Sequence, residues 1–322
     1  MRATAMAHPN VALIKYWGKR AAVGNLPATG SLSVTLGGMR TQTTVEFDPA
    51  LPADEVLLNG APNPEAAGRV ATCLDLLRAD AGLHRYARVT SHNDFPTGAG
   101  LASSASGFAA LALAGAAALG LDATRARLQE VARIGSGSAP RSLFGGFVLL
   151  SNDGEGTRCE PVLAPAEWPV SVVVAITSEV AKATGSRPGM AQSQRSSPYY
   201  PAWVDTHASD ISTALDCIAA RDFLGLAEVS EHSCLKMHAV MMTTRPPLMY
   251  WSPATLACLL EIQALRRAGV PVFFTVDAGP QVKAICLNEA VAEVEQALRA
   301  VPGVLRLVSS PLGGPAAVLE RA

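Results

Sequence analysis

The stretch SHNDFPTGAGLASSASGFAALALAGAAALG, Ser91–Gly120, constrains the fold of this chain more than any other. A polar, glycine-rich segment passes straight into a long run of alanine and leucine. The run predicts a helix over about 100–120, and its alanines and glycines suit a tightly packed, buried one. Its most apolar part, 107–121, is shorter than the roughly 20 residues a bilayer crossing needs. A helix that only had to pack would start with a single cap residue. This one carries glycines and serines at its mouth. A helix N-terminus presents unsatisfied N–H groups and a partial positive charge. Glycines let an anion come close to that backbone, and hydroxyls add donors, so the segment reads as a phosphate cradle. Gly98, Gly100, Ser103 and Ser104 have the right types and positions. Neither the GxxxxGK[ST] pattern nor a GxGxxG after a strand is present. On residue types alone, an ordinary helix with a serine-rich cap reads equally well.

The rest of the chain narrows the class. Its 322 residues are 49% hydrophobic but only 5% aromatic, so the core must come mostly from Ala, Val, Leu and Ile. A net charge of −1 argues against a general nucleic-acid binder. The cysteines Cys73, Cys159, Cys217, Cys234, Cys258 and Cys286 show no CxxC spacing. They read as separate, mostly buried thiols of a reducing compartment. The histidines show no metal-ligand spacing, and no HExxH occurs. MRATAMAHPNVALIKYWGKR has neither a long apolar core nor a cleavage pattern, so a cytoplasmic protein that does not enter a membrane is expected.

Strands are expected at 10–17, 31–36, 41–47, 86–93, 145–150 and 170–177, the last two continuous and apolar as central strands are. Helices are expected at 64–80 and 124–133. Beyond residue 177 long helical segments dominate, at 202–220, 224–241 and 253–268. Strands at 270–276 and 281–287, a helix at 289–301 and a strand at 305–308 follow. This irregular interleaving points to an α+β fold of two lobes, 1–180 and 181–322.

PTGAGLASSA, Pro96–Ala105, resembles the phosphate-binding loop of the GHMP kinases, with Pro96, Gly100, Leu101, Ser103 and Ser104 at the motif positions and Gly98 where alanine is usual. NVALIKYWGKR (10–20), NLPATGSLSVTL (25–36), GSGSAPRSLFGGF (135–147), GSRPGM (185–190) and FTVDAGPQV (274–282) resemble, in order, the diphosphomevalonate decarboxylase family. The resemblance implies a two-lobed α+β GHMP kinase-like fold. Its amino-terminal lobe would be of the ribosomal-protein domain 2-like type and its carboxy-terminal lobe ferredoxin-like. It implies ATP as cofactor with Mg2+ held mainly through the phosphates, and a homodimer. The implied reaction phosphorylates the tertiary 3-hydroxyl of mevalonate 5-diphosphate. The 3-phosphate then leaves with CO2, giving isopentenyl diphosphate, ADP and phosphate.

The resemblance also implies residue roles. Asp277, freed by a turn just past an apolar strand, lies beside the 3-hydroxyl as base or orienting group. Arg141 holds the substrate carboxylate, a task that suits a guanidinium, with Ser136 and Ser138 contacting substrate. Tyr16 and Lys19 fall on the substrate side, Lys19 as a catalytic residue offsetting charge near the transferred phosphate or the substrate carboxylate, while Trp17 is core. Strand alternation puts Lys15 with Trp17, away from Tyr16. Ser186 and Arg187, read as part of a loop, hold the diphosphate. Besides Gly98, three departures stand out: Pro140 where a cysteine is expected, Asp94 where asparagine is expected, and Pro188 stiffening its segment. The rivals are a phosphomevalonate decarboxylase, a mevalonate 3-kinase and a non-catalytic binding protein of the same fold.

Overall fold

The computed structural model describes residues 1–21, 23–95, 103–152, 156–180 and 182–322. In chain order the first half holds β1 (Arg2–Ala7), β2 (Asn10–Ile14), β3 (Lys19–Ala21), β4 (Leu26–Pro27), β5 (Ser31–Thr35), β6 (Thr41–Phe47), β7 (Glu55–Leu58) and β8 (Ala61–Pro62). Then come α1 (Pro64–Ala81), β9 (Ala87–Asn93), α2 (Ser103–Ala118), α3 (Arg125–Gly135), β10 (Phe147–Asn152) and β11 (Thr157–Leu163). The second half runs β12 (Val170–Ile176), α4 (Ser186–Ser196), α5 (Tyr200–Asp205), α6 (His207–Ala220), α7 (Phe223–Met242) and α8 (Pro253–Arg267). It ends with β13 (Val272–Val276), β14 (Val282–Leu287), α9 (Val291–Ala300), β15 (Arg306–Pro311) and β16 (Ala317–Arg321).

Three larger sheets result, in the orders β16-β1-β6-β9-β7-β8, β11-β10-β5-β2 and β13-β14-β12-β15. The architecture is α+β in two lobes. The expected boundary at 180/181 falls after β12, which pairs with β14 and β15 in the third sheet. The last strand, β16, returns to pair with β1 in the first sheet. Every residue of β12 is buried. Its Val172, Val174 and Ile176 join Val11, Ile14, Leu32 and Val34 in one core, while Val173 and Ala175 face a second core under α8 and α9. That shared first core ties the lobes together.

The small residues of 103–118 serve packing. Helix α2 is buried almost all round, through Ala105, Ala109, Ala110, Ala112 and Ala114 among others. A Cβ on Gly115 would come within 2.7 Å of Leu77, and one on Gly135 within 2.0 Å of the Phe108 ring. The small residues allow α1 and α3 to close on α2.

Three local readings change. The strand expected over 10–17 stops at Ile14, after an irregularity in register between Ala12 and Ile14. The helix expected over 202–220 divides into α5 and α6 at Thr206. Ser186 and Arg187 lie not in a loop but in the first turn of α4, capped by Gly185.

Candidate active site

One cavity of about 510 Å3 gathers residues from both halves of the chain. Its described lining includes Tyr16, Lys19, Ser103, Ser104, Ser136, Ser138, Arg141, Ser186, Arg187 and Asp277, so the sequence candidates converge on one place. Pro96, Gly98, Gly100 and Leu101 lie outside the described residues.

Asp277 stands just past the end of β13, where the chain turns. Its Oδ1 accepts from Lys15 Nζ at 2.6 Å, and Lys283 Nζ lies 3.2 Å from Oδ2. Both lysine side chains are 1% exposed, whereas that of Asp277 is 29% exposed. The carboxylate is therefore the most exposed member of the cluster, and it lines the cavity together with Lys15. Burial alone would raise its pKa, but the two ammonium groups overwhelm that and hold the carboxyl well below its usual range.

Lys15 is the main correction to the sequence reading. Alternation had turned it away from the substrate side. The chain leaves the strand after Ile14, and the backbone N–H of Lys15 donates to Ser233 Oγ of α7 at 3.0 Å. Its ammonium then meets Asp277, while Tyr16 and Trp17 both line the cavity. Trp17 is also core, 2% exposed, and its carbonyl accepts from Trp203 Nε1. A lysine ending the apolar run NVALI was the available signal, since a buried ammonium needs a partner.

Arg141 sits in the short 3-10 turn Ala139–Leu143 and is buried. Its Nε donates to Asn10 Oδ1 at 3.0 Å, and its Nη1 donates to Ser31 Oγ. Asn10 in turn donates to Ser142 Oγ at 2.7 Å and to the Ser138 carbonyl at 3.2 Å. The guanidinium is thus fixed from β2 and β5. Pro140 lies at the start of the turn and leaves these bonds intact. Burial pushes the Arg141 pKa down.

The remaining wall is cationic. Burial pushes Lys19 down to about 8, assisted by Arg187. Arg69, on α1, donates to the Gly135 carbonyl at 3.2 Å and lies 4.9 Å from the Phe108 ring centroid. Lys182 donates to Ser186 Oγ at 2.7 Å and to the Ala278 carbonyl at 2.9 Å. Sequence reasoning missed Arg69, Lys182 and Asn10, none of which stands out in its own segment. Burial raises Tyr16 to about 12, so its phenol keeps its proton. Against these cations, Asp277 is the one carboxylate among the described lining residues.

Ser103 and Ser104 open α2, and Ser104 Oγ lies 3.3 Å from Ser136 Oγ, which is 3.3 Å from Ser138 Oγ. A second, more apolar pocket of about 210 Å3 shares Arg69, Ser103 and Ser104 with the first and runs on to Val56, Leu58 and Val89. Asp94 is engaged by Arg40, its Oδ1 accepting from the Arg40 N–H at 2.8 Å and its Oδ2 lying 3.3 Å from Arg40 Nε. Among the described residues, no group of three His, Cys, Asp or Glu could hold a metal. No helix there is long and apolar enough to cross a membrane. All six cysteines are buried and unpaired.

Residues 7–160 match the family described as diphosphomevalonate decarboxylase-like N-terminal domain, and residues 172–307 match the mevalonate 5-diphosphate decarboxylase C-terminal domain. The diphosphomevalonate decarboxylase of Ganoderma lucidum is 35% identical over 91% of this chain and 80% of its own length. The phosphomevalonate decarboxylase of Haloferax volcanii is 36% identical over 99% of this chain and 98% of its own. A solved structure of MDDEF in complex with MVAPP, AMPPCP and magnesium is 36% identical, with a TM-score of 0.92 and 99% of each chain covered.

Proposed function

The chain belongs to the diphosphomevalonate decarboxylase family, and from that we infer an ATP-dependent decarboxylase that converts mevalonate 5-diphosphate to isopentenyl diphosphate, ADP, phosphate and CO2. The observation that carries the reading is one ionised carboxylate, Asp277, and one buried guanidinium, Arg141, facing a single cation-walled cavity.

In this reading Asp277 accepts a hydrogen bond from the substrate 3-hydroxyl and aims its oxygen. A carboxylate held so far below its usual range is a weak base. Orientation suits it better than early proton removal, and a loose phosphoryl-transfer transition state asks for little more. The proton passes to Asp277 as the new bond to phosphorus forms. Arg141 holds the substrate carboxylate, with Asn10 and Ser31 fixing the guanidinium. Ser136 and Ser138 contact the substrate beside it, and Tyr16 donates a phenolic hydrogen bond. Ser186 and Arg187, at the start of α4, take the diphosphate, and Lys19 adds charge between it and the reacting centre.

ATP with its magnesium supplies the phosphoryl group and a cation that spreads its charge. The site fits both. The start of α2 offers Ser103 and Ser104, and the adjoining apolar pocket suits the nucleotide base. The ion would be held mainly through the phosphates, with the Ser103 and Ser104 hydroxyls beside it. We also propose a cytoplasmic homodimer, on family likeness alone. A monomer mass by light scattering at working concentration would remove the dimer.

The Haloferax volcanii relative favours a second reading, in which the substrate is the 5-monophosphate. Nucleotide-dependent turnover with mevalonate 5-diphosphate, mevalonate 5-phosphate and mevalonate separates the readings. The diphosphate is expected to give the highest kcat/KM. A higher value with the monophosphate would keep the chemistry and overturn the diphosphate assignment of Arg187.

A further inference from the structure

Lys283 is a charged residue near the start of a buried strand. It belongs to β14, where its neighbours Val282 and Ala284 are fully buried, and it is paired in register with Thr275 of β13 and Val174 of β12. The opposite face of β14 packs Val282, Ala284 and Cys286 into the core under α8 and α9. Lys283 lies on the same face as Ile285, which joins the core shared with β2 and β5. An apolar residue there would have extended that core at no electrostatic cost. A buried ammonium is instead expensive unless its partner is well placed. Its partners include Asp277 Oδ2 at 3.2 Å and the Gln281 carbonyl at 3.4 Å.

The two lysines take different oxygens of one carboxylate. Lys15 arrives from the segment after β2 and holds Oδ1, while Lys283 arrives from β14 and holds Oδ2. One ammonium alone would leave the carboxylate free to rotate about its Cβ–Cγ bond. Two, each fixed on a different strand or strand end, remove that freedom. We propose that Lys283 is a positioning residue of the reaction, clamping Asp277 from the side opposite Lys15 so that the carboxylate meets the cavity in one orientation. This deepens the functional reading above and rests on it for the consequence in catalysis, though not for the clamp itself.

Other groups also face Asp277. Lys182 and Arg141 feel its charge from the cavity side, and Cys234 and His238 from α7. Burial pushes His238 down to about 3, so it stays neutral, and burial raises Cys234, so it keeps its proton. The charged neighbours that remain when Lys283 is removed are therefore Lys15, Lys182 and Arg141.

The test uses Lys283→Met in the full chain, with Asp side-chain carboxyl carbons labelled with 13C and the Asp277 resonance assigned by its loss in Asp277→Asn. In the ligand-free wild type, Asp277 is expected to stay ionised throughout the usual carboxylate range. In Lys283→Met its titration midpoint is expected to rise by about one to three pH units, the effect of losing an opposite charge at this distance. With the nucleotide and the preferred substrate, kcat is expected to fall by about 100-fold while both KM values stay within about twofold. An Asp277 midpoint and a kcat both unchanged from wild type would overturn the proposal. Lys283→Gln, read in the same two ways with the same outcomes, replaces the methionine variant if that one does not fold. A wild type inactive with every candidate substrate would sink the functional reading instead, and the ligand-free titration would still decide the clamp.

Discussion

At the scale of single residues, the site is a problem in placing charge. Lys19 is only partly buried, yet burial and Arg187 bring its pKa down to about 8. A lysine with a lowered pKa loses its charge as pH rises through that value. If Lys19 must be protonated to receive an anionic substrate, kcat/KM, which reports on the free enzyme, falls above about pH 8. Lys19→Arg carries a charge that does not titrate there, and its alkaline limb is expected to move to higher pH. A limb at the same pH in both proteins would assign it to another group. The residues legible in the sequence were those in motifs whose order carried the resemblance: Asp277, Arg141, Tyr16, Lys19 and the serines all reach the cavity. Lys15 was not legible, because a period-two rule was applied across a strand that ends at Ile14. Lys283 was hidden for another reason: nothing local in QVKAICL says that its ammonium meets a carboxylate six residues earlier.

At the scale of elements, the cavity depends on segments that stop and turn at fixed points. Gly18 is one. Its φ is +105°, and a Cβ there would lie 2.0 Å from the Tyr200 hydroxyl oxygen. Gly18→Ala is therefore expected to lower stability by about 1–3 kcal/mol through backbone strain alone. Because Tyr16 and Lys19 flank it, activity should fall further than the folded fraction does. Urea unfolding beside kcat measures both, and a variant as stable as wild type would show that the segment can rearrange. Elements with strong periodicity or continuous apolar character were legible, among them α1, α2, α7, α8 and β12. The short first strand RATAMA was not, since its small residues carry no β-branched pattern and its register is set by β6 and β16 from far along the chain. Helix α4 was hidden by SRPG, where glycine and proline argue against a helix. They are tolerated here because they fall in its first turn.

At the scale of the whole molecule, two lobes share a core and bring chemistry from distant parts of the chain together. Asp277 and Lys15 are 262 residues apart, and Asn10 and Arg141 are 131 apart. β16 returns to β1, so the first sheet is completed only by the end of the chain. In the proposed function, Arg141 holds the substrate carboxylate while Asp277 aims the hydroxyl, and the first of these tasks is one a kinase does not need. The most direct measurement is the amount of CO2 released for each ADP formed by the wild-type protein with its preferred substrate. One CO2 for each ADP is the predicted result. ADP formed without CO2 would make this chain a kinase and contradict the account.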